Sequence, residues 1–309
     1  MTATSLVDLI GNTPLVELTR MAPKPGVRIF AKLEGSNPSG SIKDRIVLAM
    51  VEAAERRGVL RPGDTIAEAS SGNTGIALSL IGKLKGYRTQ VIIPEQVAPS
   101  VGDLLKLFGA EITWCESRVG MKGAIDLAQE IAQSQGSHYL GQFDNTINLE
   151  THYRTTGAEI VRDLPQVDVF VAGIGTGGTI TGVSRRLREV NPQVQVVGVE
   201  PRMGEALQGL RSLSEGYIPP LLDLKLLNRR YLVDSATAID TARRVVEMEG
   251  IFAGISAGAT LSAALRVAAG MDQGNIVVMF SDGGWKYLPA RPWDAARAGS
   301  EDLDETHWW

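Results

Sequence analysis

Residues 168–190 read DVFVAGIGTGGTITGVSRRLREV, and this stretch decides the fold class. A short apolar run, Asp168–Ala172, predicts a strand, and the segment Thr179–Val190 has the period of a helix. A glycine-rich loop with two threonines, Gly175–Thr179, joins them. A buried strand, a glycine turn and a helix in this order are typical of a parallel βαβ unit.

The same alternation of short apolar runs and longer helical segments continues on both sides of this stretch. We therefore predict an α/β protein with two open parallel-sheet domains and helices on both faces. Residues 41–146 are predicted to form a smaller, mobile domain, and residues 1–40 together with 147–309 a larger one. A chain of 309 residues is long enough for two hydrophobic cores.

The bounds of the elements follow from the apolar periodicity and from the positions of glycine and proline. The predicted strands are Ile29–Glu34, Thr65–Ala69, Thr89–Ile93, Glu111–Trp114, His138–Leu140, Asp168–Ala172, Gln195–Val199 and Asn275–Phe280. The predicted helices are Lys43–Arg57, one from near Asn73, Pro99–Phe108, Met121–Gln135, Asn148–Asp163, Thr179–Val190, Ser235–Glu249 capped by Ser235, and one from Ser256. The segment Met203–Leu227 lacks a clean period, so we predict a long loop over the surface or a site.

The overall charge argues against nucleic-acid binding. The chain has 31 basic and 35 acidic residues, a net charge of -4, and no dense block of one sign. The amino terminus lacks the pattern of a secretion signal, and no apolar run is long enough to span a bilayer. The single cysteine, Cys115, cannot form an intrachain disulfide and is predicted to be buried. We therefore expect a cytoplasmic protein.

The loop Gly175–Thr179 is one of three strand-to-helix junctions that carry small and polar residues. Its backbone N–H groups and two hydroxyls can surround a phosphate at the positive end of the following helix. No Gly-Lys-Ser/Thr follows, as a P-loop requires, and the Gly-x-Gly-x-x-Gly spacing of a dinucleotide site is absent. A single phosphate on a small cofactor fits better, and a tight turn that needs only the glycine backbone is the alternative.

The other two junctions are Ser70–Gly75 and Asn37–Arg45. The first offers backbone donors, three hydroxyls and one amide, which suit a carboxylate, whereas an ordinary helix cap explains only one or two of them. The second delivers Lys43 to the first turn of a helix, where the helix dipole disfavours a positive charge. Lys43 is therefore either a solvated surface residue or a lysine that forms a Schiff base with a cofactor.

Two further features are weaker. His138, His152 and His307 have no metal-ligand spacing, so no metal site is predicted, and His152 either lines a cleft or is a structural histidine. The chain ends in Trp308 and Trp309 after an acidic segment of small residues. Two terminal aromatic side chains need a pocket, so the tail is predicted to fold over the site or, alternatively, to pack on the subunit surface or at a dimer contact.

Seven motifs occur in a fixed order along the chain. They are Gly11–Leu15, Asn37–Arg45, Ser71–Gly75, Gln142–Asn145, Thr155–Gly157 with Glu159, Gly175–Thr179 and Glu249–Ser256. Together they resemble the cysteine synthase family of fold-type II pyridoxal-phosphate enzymes, whose fold is similar to that of the tryptophan synthase β subunit. The similarity runs from about Ile10 to about Leu288. Several motifs in one order are far more specific than any one of them.

The resemblance implies a pyridoxal 5′-phosphate cofactor and assigns each junction a role. Lys43 would carry the cofactor as a Schiff base, Asn73 would hydrogen-bond its 3-hydroxyl, and Ser256 would face its pyridine nitrogen. The cofactor phosphate would lie on the loop of the larger domain formed by Gly175, Thr176, Gly177, Gly178 and Thr179. The substrate carboxylate would lie on Ser70, Ser71, Gly72, Asn73, Thr74 and Gln142. The family usually has threonine where this chain has Ser70.

The activity implied by the resemblance is that of a cysteine synthase, which replaces the acetyl or phosphate group of O-acetylserine or O-phosphoserine by sulfide to give L-cysteine. Lys43 would act as anchor, base and acid. Arg211 lies in the loop that family members place over the leaving group, and an arginine there suits a phosphate. Similar arginines occur in type B cysteine synthases that use acetylserine. A homodimer is the family's expectation, and a sulfur-carrier protein is a candidate sulfur donor.

Other functions remain compatible with the sequence. A cystathionine β-synthase or a serine or threonine dehydratase would share the fold and the cofactor, although Ser71–Gly75 and Glu249–Ser256 favour a synthase over a dehydratase. The chain also lacks a haem-binding or regulatory module of the kind found in some cystathionine synthases. A binding protein that kept the fold and lost the chemistry is expected to lack the lysine or a phosphate ligand, and both are present.

Overall fold

The computed structural model describes residues 2–95, 99–116, 120–205 and 207–293. Within these ranges ten strands form two sheets. The strands are β1 (Leu15–Glu17), β2 (Val27–Leu33), β3 (Thr65–Ala69), β4 (Arg88–Pro94), β5 (Glu111–Cys115), β6 (His138–Tyr139), β7 (Val169–Gly173), β8 (Gln195–Pro201), β9 (Arg229–Val233) and β10 (Gly274–Phe280).

Nine α-helices accompany the strands in the same described ranges. They are α1 (Lys43–Arg56), α2 (Asn73–Lys85), α3 (Pro99–Phe108), α4 (Gly120–Gln135), α5 (Ile147–Arg154), α6 (Thr156–Asp163), α7 (Gly178–Val190), α8 (Ser235–Glu249) and α9 (Ile255–Ala269). A short 3-10 turn, Trp285–Ala290, follows β10 and contributes to the site described below. Most of these bounds agree with the predicted ones to within one or two residues.

The larger sheet has the strand order β1-β2-β10-β7-β8-β9, and the smaller sheet the order β5-β4-β3-β6. Neighbouring strands are parallel except at one edge, where β1 is antiparallel to β2. The predicted α/β class with parallel sheets is therefore confirmed, with that one exception. All strands of the smaller sheet lie within residues 65–139, inside the segment 41–146. The domain boundaries and the mobility of the smaller domain stay predictions.

Both faces of the larger sheet are covered, and β7 illustrates the arrangement. Val169 and Val171 belong to an apolar cluster that includes residues of α8 and α9. Phe170 and Ala172 point to the other face and belong to a second cluster, with residues of α6 and α7. Because a parallel strand is buried on both faces, it is a continuous apolar run rather than an alternating one. This is why the run 168–172 was recognisable in the sequence.

The parallel order brings several loops together at one edge of the larger sheet. β2, β10 and β7 are neighbours in that sheet, so their carboxyl ends lie side by side. The loop to Lys43 follows β2, the turn with Asp282 follows β10, and the loop Gly175–Thr179 follows β7. Open α/β sheets bind ligands at this edge. The larger sheet therefore brings two of the three predicted junctions together from distant parts of the chain.

One predicted helix is wrong. The segment Asn148–Asp163 forms two helices, α5 and α6, which are separated at Thr155 with φ -113° and ψ -75°. The hydroxyl of Thr155 donates to the carbonyl of Thr151, and that of Thr151 donates to the carbonyl of Ile147, each at 2.7 Å. Threonine hydroxyls that bond back to the preceding turn bend helices. The apolar period continues across this bend, so periodicity alone did not reveal it.

Two edge strands and one helix cap also differ from the predicted elements. β1 has three residues, and β9 at the opposite edge has mostly exposed side chains, so neither has a strong apolar pattern. The cap of α8 is Asp234 and not Ser235, because the Asp234 carboxylate accepts the N–H of Thr237 at 2.7 Å. The predicted loop Met203–Leu227 is largely irregular, with 3-10 turns at Leu213–Glu215 and Leu224–Leu226.

Some predictions concern residues beyond those that the structure describes. Trp308 and Trp309, with the proposed lid, lie outside the described ranges, as does His307. Cys115 is buried as predicted, and burial raises the pKa of its thiol. Among the residues that the structure covers, none of the helices has the length and apolar character needed to cross a membrane.

Candidate active site

A cavity of about 350 Å³ lies where the loops of the two sheets meet. Ten of the predicted site residues line it: Lys43, Ser70, Ser71, Gly72, Asn73, Thr74, Gln142, Gly175, Thr176 and Arg211. Four others do not line it: Gly177, Gly178, Thr179 and Ser256. The first three continue the loop that Gly175 and Thr176 begin. The structure therefore brings together residues that are up to 168 positions apart.

Lys43 is the first residue of α1 and faces the cavity. The loop before it is tied to the turn after β10, because the N–H of Ile42 donates to Ser281 at 2.9 Å and that of Gly283 donates to Gly40 at 3.1 Å. Burial lowers the pKa of the Lys43 amine to about 8, with Asp282 raising it and the positive Lys286 lowering it further. A larger fraction of the amine is therefore neutral near pH 7 than in an exposed lysine.

The loop Ser70–Thr74 is shaped by its own hydroxyls. The Ser70 hydroxyl accepts the N–H groups of Gly72 and Gly75 at 3.1 and 2.9 Å. The Thr74 hydroxyl donates to Gln142 Oε1 at 2.7 Å, and Gln142 Nε2 donates to the carbonyl of Ala69 at 2.8 Å. These bonds place Thr74 and Gln142 together on the cavity wall. The Ser70 hydroxyl is used within the turn, and the structure thereby gives it a shaping role.

Glu68 is a buried carboxylate that the sequence analysis overlooked. It accepts the N–H of Gly141 at 2.9 Å and that of Gln142 at 3.4 Å through one oxygen, and that of Ala69 at 3.0 Å through the other. Burial outweighs the opposing effect of the three backbone N–H groups and raises its pKa to about 8. Glu68 thus fixes the backbone that carries Gln142. Its signal in the sequence was an acidic residue inside the apolar strand TIAEA.

The loop Gly175–Thr179 needs its glycines because other backbone and side-chain groups pack against it. A Cβ at Gly175 would lie 2.6 Å from the carbonyl oxygen of Gly209, and a Cβ at Gly178 would collide with Asn148 Oδ1. Gly177 has φ +84° and precedes the first turn of α7. The loop therefore presents a bare backbone at a helix amino terminus, where N–H groups lack intrahelical partners. This arrangement suits a phosphate.

His152 is linked to the same loop. It is 1% exposed, and its ring nitrogens Nδ1 and Nε2 lie 3.0 Å from the hydroxyl of Thr156 and 3.2 Å from that of Thr179. Burial and the positive charges of Lys43 and Arg45 hold its pKa well below the usual range. His152 is therefore a neutral, hydrogen-bonded histidine that supports the loop rather than a metal ligand. Within the described residues no group of three or more His, Cys, Asp or Glu side chains is arranged to hold a metal ion.

Ser256 lies in the first turn of α9 and is 4% exposed. The helix begins after Gly254, whose N–H donates to the carbonyl of Asp282 at 3.0 Å. Ser256 is therefore held near the turn that follows β10. It does not line the cavity, and its role toward a ring nitrogen stays a prediction.

Four further polar residues in or beside the cavity were not predicted. Asp282 and Lys286 are 2% and 5% exposed, and they contact each other and Asn73. Gln208 Nε2 and Ser212 Oγ are buried and have no hydrogen-bond partner among the described residues, and both side chains line the cavity. The signal for Asp282 and Lys286 was their position after β10, at the carboxyl end of a parallel strand.

Arg211 also lines the cavity, and two aromatic rings hold its guanidinium. The centre of the guanidinium lies 4.8 Å from the Phe143 ring centroid and 5.6 Å from that of Tyr217. Both contacts are within the range of cation–π attraction. The positive group is therefore ordered on the cavity wall.

The cavity residues fit two molecules: a cofactor that carries a phosphate and a carbonyl group, and a substrate that carries a carboxylate. Most of the cavity's polar lining groups are donors: an amine, hydroxyls, amides, a guanidinium and a glycine-rich backbone. A lysine of lowered pKa at the base of such a cleft is suited to form a Schiff base. Fold and site together define an α/β enzyme that holds a phosphorylated aldehyde cofactor, which is the chemistry of pyridoxal phosphate.

The chain belongs to the family of pyridoxal-phosphate dependent enzymes, whose profile matches residues 6–282. It is 41% identical to cysteine synthase B of Escherichia coli over 285 residues, which covers 92% of this chain and 94% of that protein. It is 39% identical to the O-ureido-L-serine synthase of Streptomyces lavendulae over 308 residues, with 96% and 95% covered. The crystal structure of an O-ureido-L-serine synthase is similar, with a TM-score of 0.91, 38% identity, and 98% and 99% coverage. The predicted family and cofactor are thereby confirmed.

Proposed function

We propose that this protein is a cysteine synthase, which replaces the acetyl or phosphate group of O-acetylserine or O-phosphoserine by sulfide to give L-cysteine. The observation that carries the proposal is that Lys43, the Ser70–Thr74 loop and Gln142 line the same cavity. The similarity to cysteine synthase B over nearly the whole chain supports the same activity. The bound pyridoxal phosphate supplies an electron-withdrawing ring that acidifies the Cα–H bond of an attached amino acid.

Lys43 moves the proton. Once the substrate's amino group has taken its place on the cofactor, the freed Lys43 amine would take the proton from Cα. The electron pair would form a Cα=Cβ bond, and acetate or phosphate would leave Cβ with its bonding electrons. Hydrosulfide then adds to Cβ, and Lys43 returns the proton to Cα. The lowered pKa of Lys43, about 8, leaves a larger fraction of the amine neutral for the first step than the ordinary value of 10.5 would. Proton removal and return by one group need no outside oxidant or reductant.

The other site residues bind and orient the cofactor and the substrate. We assign the cofactor phosphate to Gly175–Thr179, where glycine backbone and the start of α7 coincide. We assign the substrate carboxylate to Ser71, Thr74 and Gln142, because Thr74 and Gln142 are joined by a hydrogen bond on the cavity wall. A hydroxyl such as that of Ser256 does not hold a pyridine nitrogen protonated as a carboxylate would. A pyridine ring that is not protonated withdraws electrons less strongly. This favours loss of the β-substituent from the substrate over transamination.

The experiment that tests the proposal compares products from one purified protein. Incubation with O-acetylserine and sulfide should yield cysteine. Homocysteine in place of sulfide should yield little cystathionine, and serine or threonine alone should yield little keto acid. A dominant cystathionine product would identify a cystathionine β-synthase, and rapid keto-acid release a dehydratase. Lys43→Ala is the matched control and should give no product in any of these assays.

We also propose that the enzyme is a cytoplasmic homodimer that can receive sulfur from sulfide or from a sulfur-carrier protein. The support is the resemblance to the cysteine synthase family and the single cysteine, which fits a reducing compartment. Light scattering on the purified protein tests the dimer. A mass of about 33 kDa, the 33.1 kDa of one chain, would contradict it.

A further inference from the structure

Lys286 is a buried lysine beside the candidate active site. It lies in the turn Trp285–Ala290 and is 5% exposed. Its ammonium contacts the Asp282 carboxylate and the side-chain oxygen of Asn73. Asn73 begins α2 and lines the cavity, so Lys286 touches the site through it.

These contacts determine which way the Asn73 amide points. An ammonium has only donors, so it must face the amide oxygen. The carboxylate of Asp282 has only acceptors, and it receives the Asn73 Nδ2 group at 2.8 Å. A reversed amide would place NH₂ against the ammonium and C=O against the carboxylate. Lys286 and Asp282 together therefore hold Asn73 in one orientation, in which Nδ2 keeps a second N–H to donate.

We propose that Lys286 is a positioning residue: it fixes and polarises the Asn73 amide so that the remaining N–H of Nδ2 is available to the 3-oxygen of the cofactor. This inference rests on the proposed role of Asn73 but not on the sulfur chemistry. A hydrogen bond from an amide whose oxygen contacts a cation is strengthened by cooperativity. Such a donor favours the ionised form of the cofactor oxygen.

Two carboxylates, one hydroxyl and one further amine face the Lys286 ammonium. Asp282 and Tyr287 come from its own segment, and the Tyr287 hydroxyl also donates to Asp282 at 2.9 Å. Asp44 and Lys43 face it from α1. The pKa of Lys286 lies below its ordinary value because burial outweighs the opposing effect of the Asp282 and Asp44 carboxylates. With an acceptor on two sides, the protonated form is the one that the geometry satisfies.

The alternative is that Lys286 only stabilises the fold, since the pair Lys286–Asp282 also fixes the turn after β10. Lys286→Met would then lower the melting temperature and leave the bound cofactor unchanged. The single variant also leaves the buried Asp282 carboxylate unpaired, which is costly. The double variant Lys286→Met/Asp282→Asn removes both charges and keeps the side-chain volumes. It therefore separates stability from the effect on the cofactor.

The test records the visible absorbance of the bound cofactor between pH 6 and pH 10. In Lys286→Met and in the double variant, we expect the midpoint of the titration to shift by at least about half a pH unit, a threefold change in the proton equilibrium. The cofactor should also dissociate at least about threefold more readily, by equilibrium dialysis. The matched control is Lys85→Met, which removes a lysine paired with Glu55 at the far end of α2 and should shift neither quantity.

The background Asn73→Ala decides whether Lys286 acts through Asn73. In that background, adding Lys286→Met should produce no further shift, because the amide that transmits the effect is gone. An equal shift in both backgrounds would overturn the proposal and assign the effect to charge alone. An unchanged titration in the double variant would also overturn it. If instead the native protein makes no cysteine, only the proposed function fails, because the absorbance readout needs no sulfide.

Discussion

Arg45 donates a hydrogen bond to each carboxylate oxygen of Glu159, with Nη1–Oε1 and Nη2–Oε2 distances of 2.6 and 2.7 Å. Arg45 lies two residues after Lys43 on α1, and Glu159 lies on α6. Glu34 also accepts a hydrogen bond from Arg45 at 2.7 Å, and Lys32 adds a second cation to Glu159 at 2.8 Å. These four side chains are nearly inaccessible to solvent. The network thus ties the helix that begins with Lys43 to β2 and α6.

Glu159→Gln tests this network. The change leaves Lys32 without its ion-pair partner and Arg45 with only Glu34. Removing one partner of a buried ion pair typically costs about 3–5 kcal/mol in the free energy of unfolding. We expect a loss of that order, measured by urea unfolding of the holoenzyme. The matched control is Glu17→Gln, whose pair with Arg28 lies at the surface and should change stability by less than about 1 kcal/mol.

Acid unfolding should report the same carboxylate. Burial alone would raise the pKa of Glu159, but the hydrogen bonds from Arg45 and Lys32 lower it to about 2. Since the folded pKa lies below the ordinary value of 4.5, this stability is complete above pH 4.5 and is lost as the pH falls toward 2. The free energy of unfolding of the native protein should therefore fall over this range. Glu159→Gln should show a shallower slope, and equal slopes would mean that other carboxylates dominate.

Two lysines lie near the cavity, so identifying the one that binds the cofactor covalently tests the assignment of Lys43. Lys43 faces the cavity, whereas Lys286 is occupied by Asp282 and Asn73. We expect borohydride reduction followed by peptide mass spectrometry to find the pyridoxyl group on Lys43 in the native protein and in Lys286→Met. Lys43→Ala should still bind the cofactor through phosphate and ring contacts but fail to turn over. A label on Lys286 would refute the assignment.

The local parts of the site could be predicted because each is one continuous motif. The loops Ser70–Gly75 and Gly175–Thr179 each join a strand to a helix, and their residue types already limit what they bind. The helix start at Lys43 was recognisable for the same reason. Chain-local geometry, glycine freedom and hydroxyl chemistry act over a few residues, so they leave a signal in the sequence.

The partners of these motifs could not be predicted in the same way. Asn73 and Asp282 are 209 residues apart, and Arg45 and Glu159 are 114 apart. The strand order within each sheet, together with the meeting of loops from the two sheets, brings such pairs together. A buried charge is also unexpected from composition, because isolated lysines and carboxylates are usually exposed. Lys286 and Glu68 were therefore overlooked even though each contacts a residue that the motifs identified.

Gly178→Ala tests the phosphate loop. A Cβ there would collide with Asn148 Oδ1, whose amide nitrogen donates to Thr176 at 3.1 Å, so the loop must shift to accept it. We expect the affinity for pyridoxal phosphate to fall at least about tenfold, or 1.4 kcal/mol, by equilibrium dialysis. The matched control is Gly102→Ala in α3, where the new Cβ would meet its nearest neighbour at 3.7 Å. Unchanged affinity in Gly178→Ala would place the phosphate elsewhere.

The choice between O-acetylserine and O-phosphoserine depends on the wall formed by Arg211 and its neighbours. Two aromatic rings order the Arg211 guanidinium. Gln208 Nε2 and Ser212 Oγ, which have no hydrogen-bond partner within the described part of the chain, belong to residues that line the same cavity. A guanidinium can bind a phosphate through two parallel charge-assisted hydrogen bonds, each worth about 1.5–3 kcal/mol. A neutral acetyl ester gains much less from such a group. We therefore predict that the enzyme accepts O-phosphoserine.

Arg211→Ala should lower kcat/KM for O-phosphoserine at least about tenfold, or 1.4 kcal/mol, and spare O-acetylserine. Arg211→Lys keeps the charge but not the forked geometry, so its loss with O-phosphoserine should be intermediate. Gln208→Leu should lower kcat/KM for O-phosphoserine by a smaller factor than Arg211→Ala, because it removes a neutral hydrogen-bond donor. Steady-state kinetics with both donors at one sulfide concentration measure all three. Equal losses on both donors in Arg211→Ala would mean that Arg211 shapes the loop without reading the phosphate.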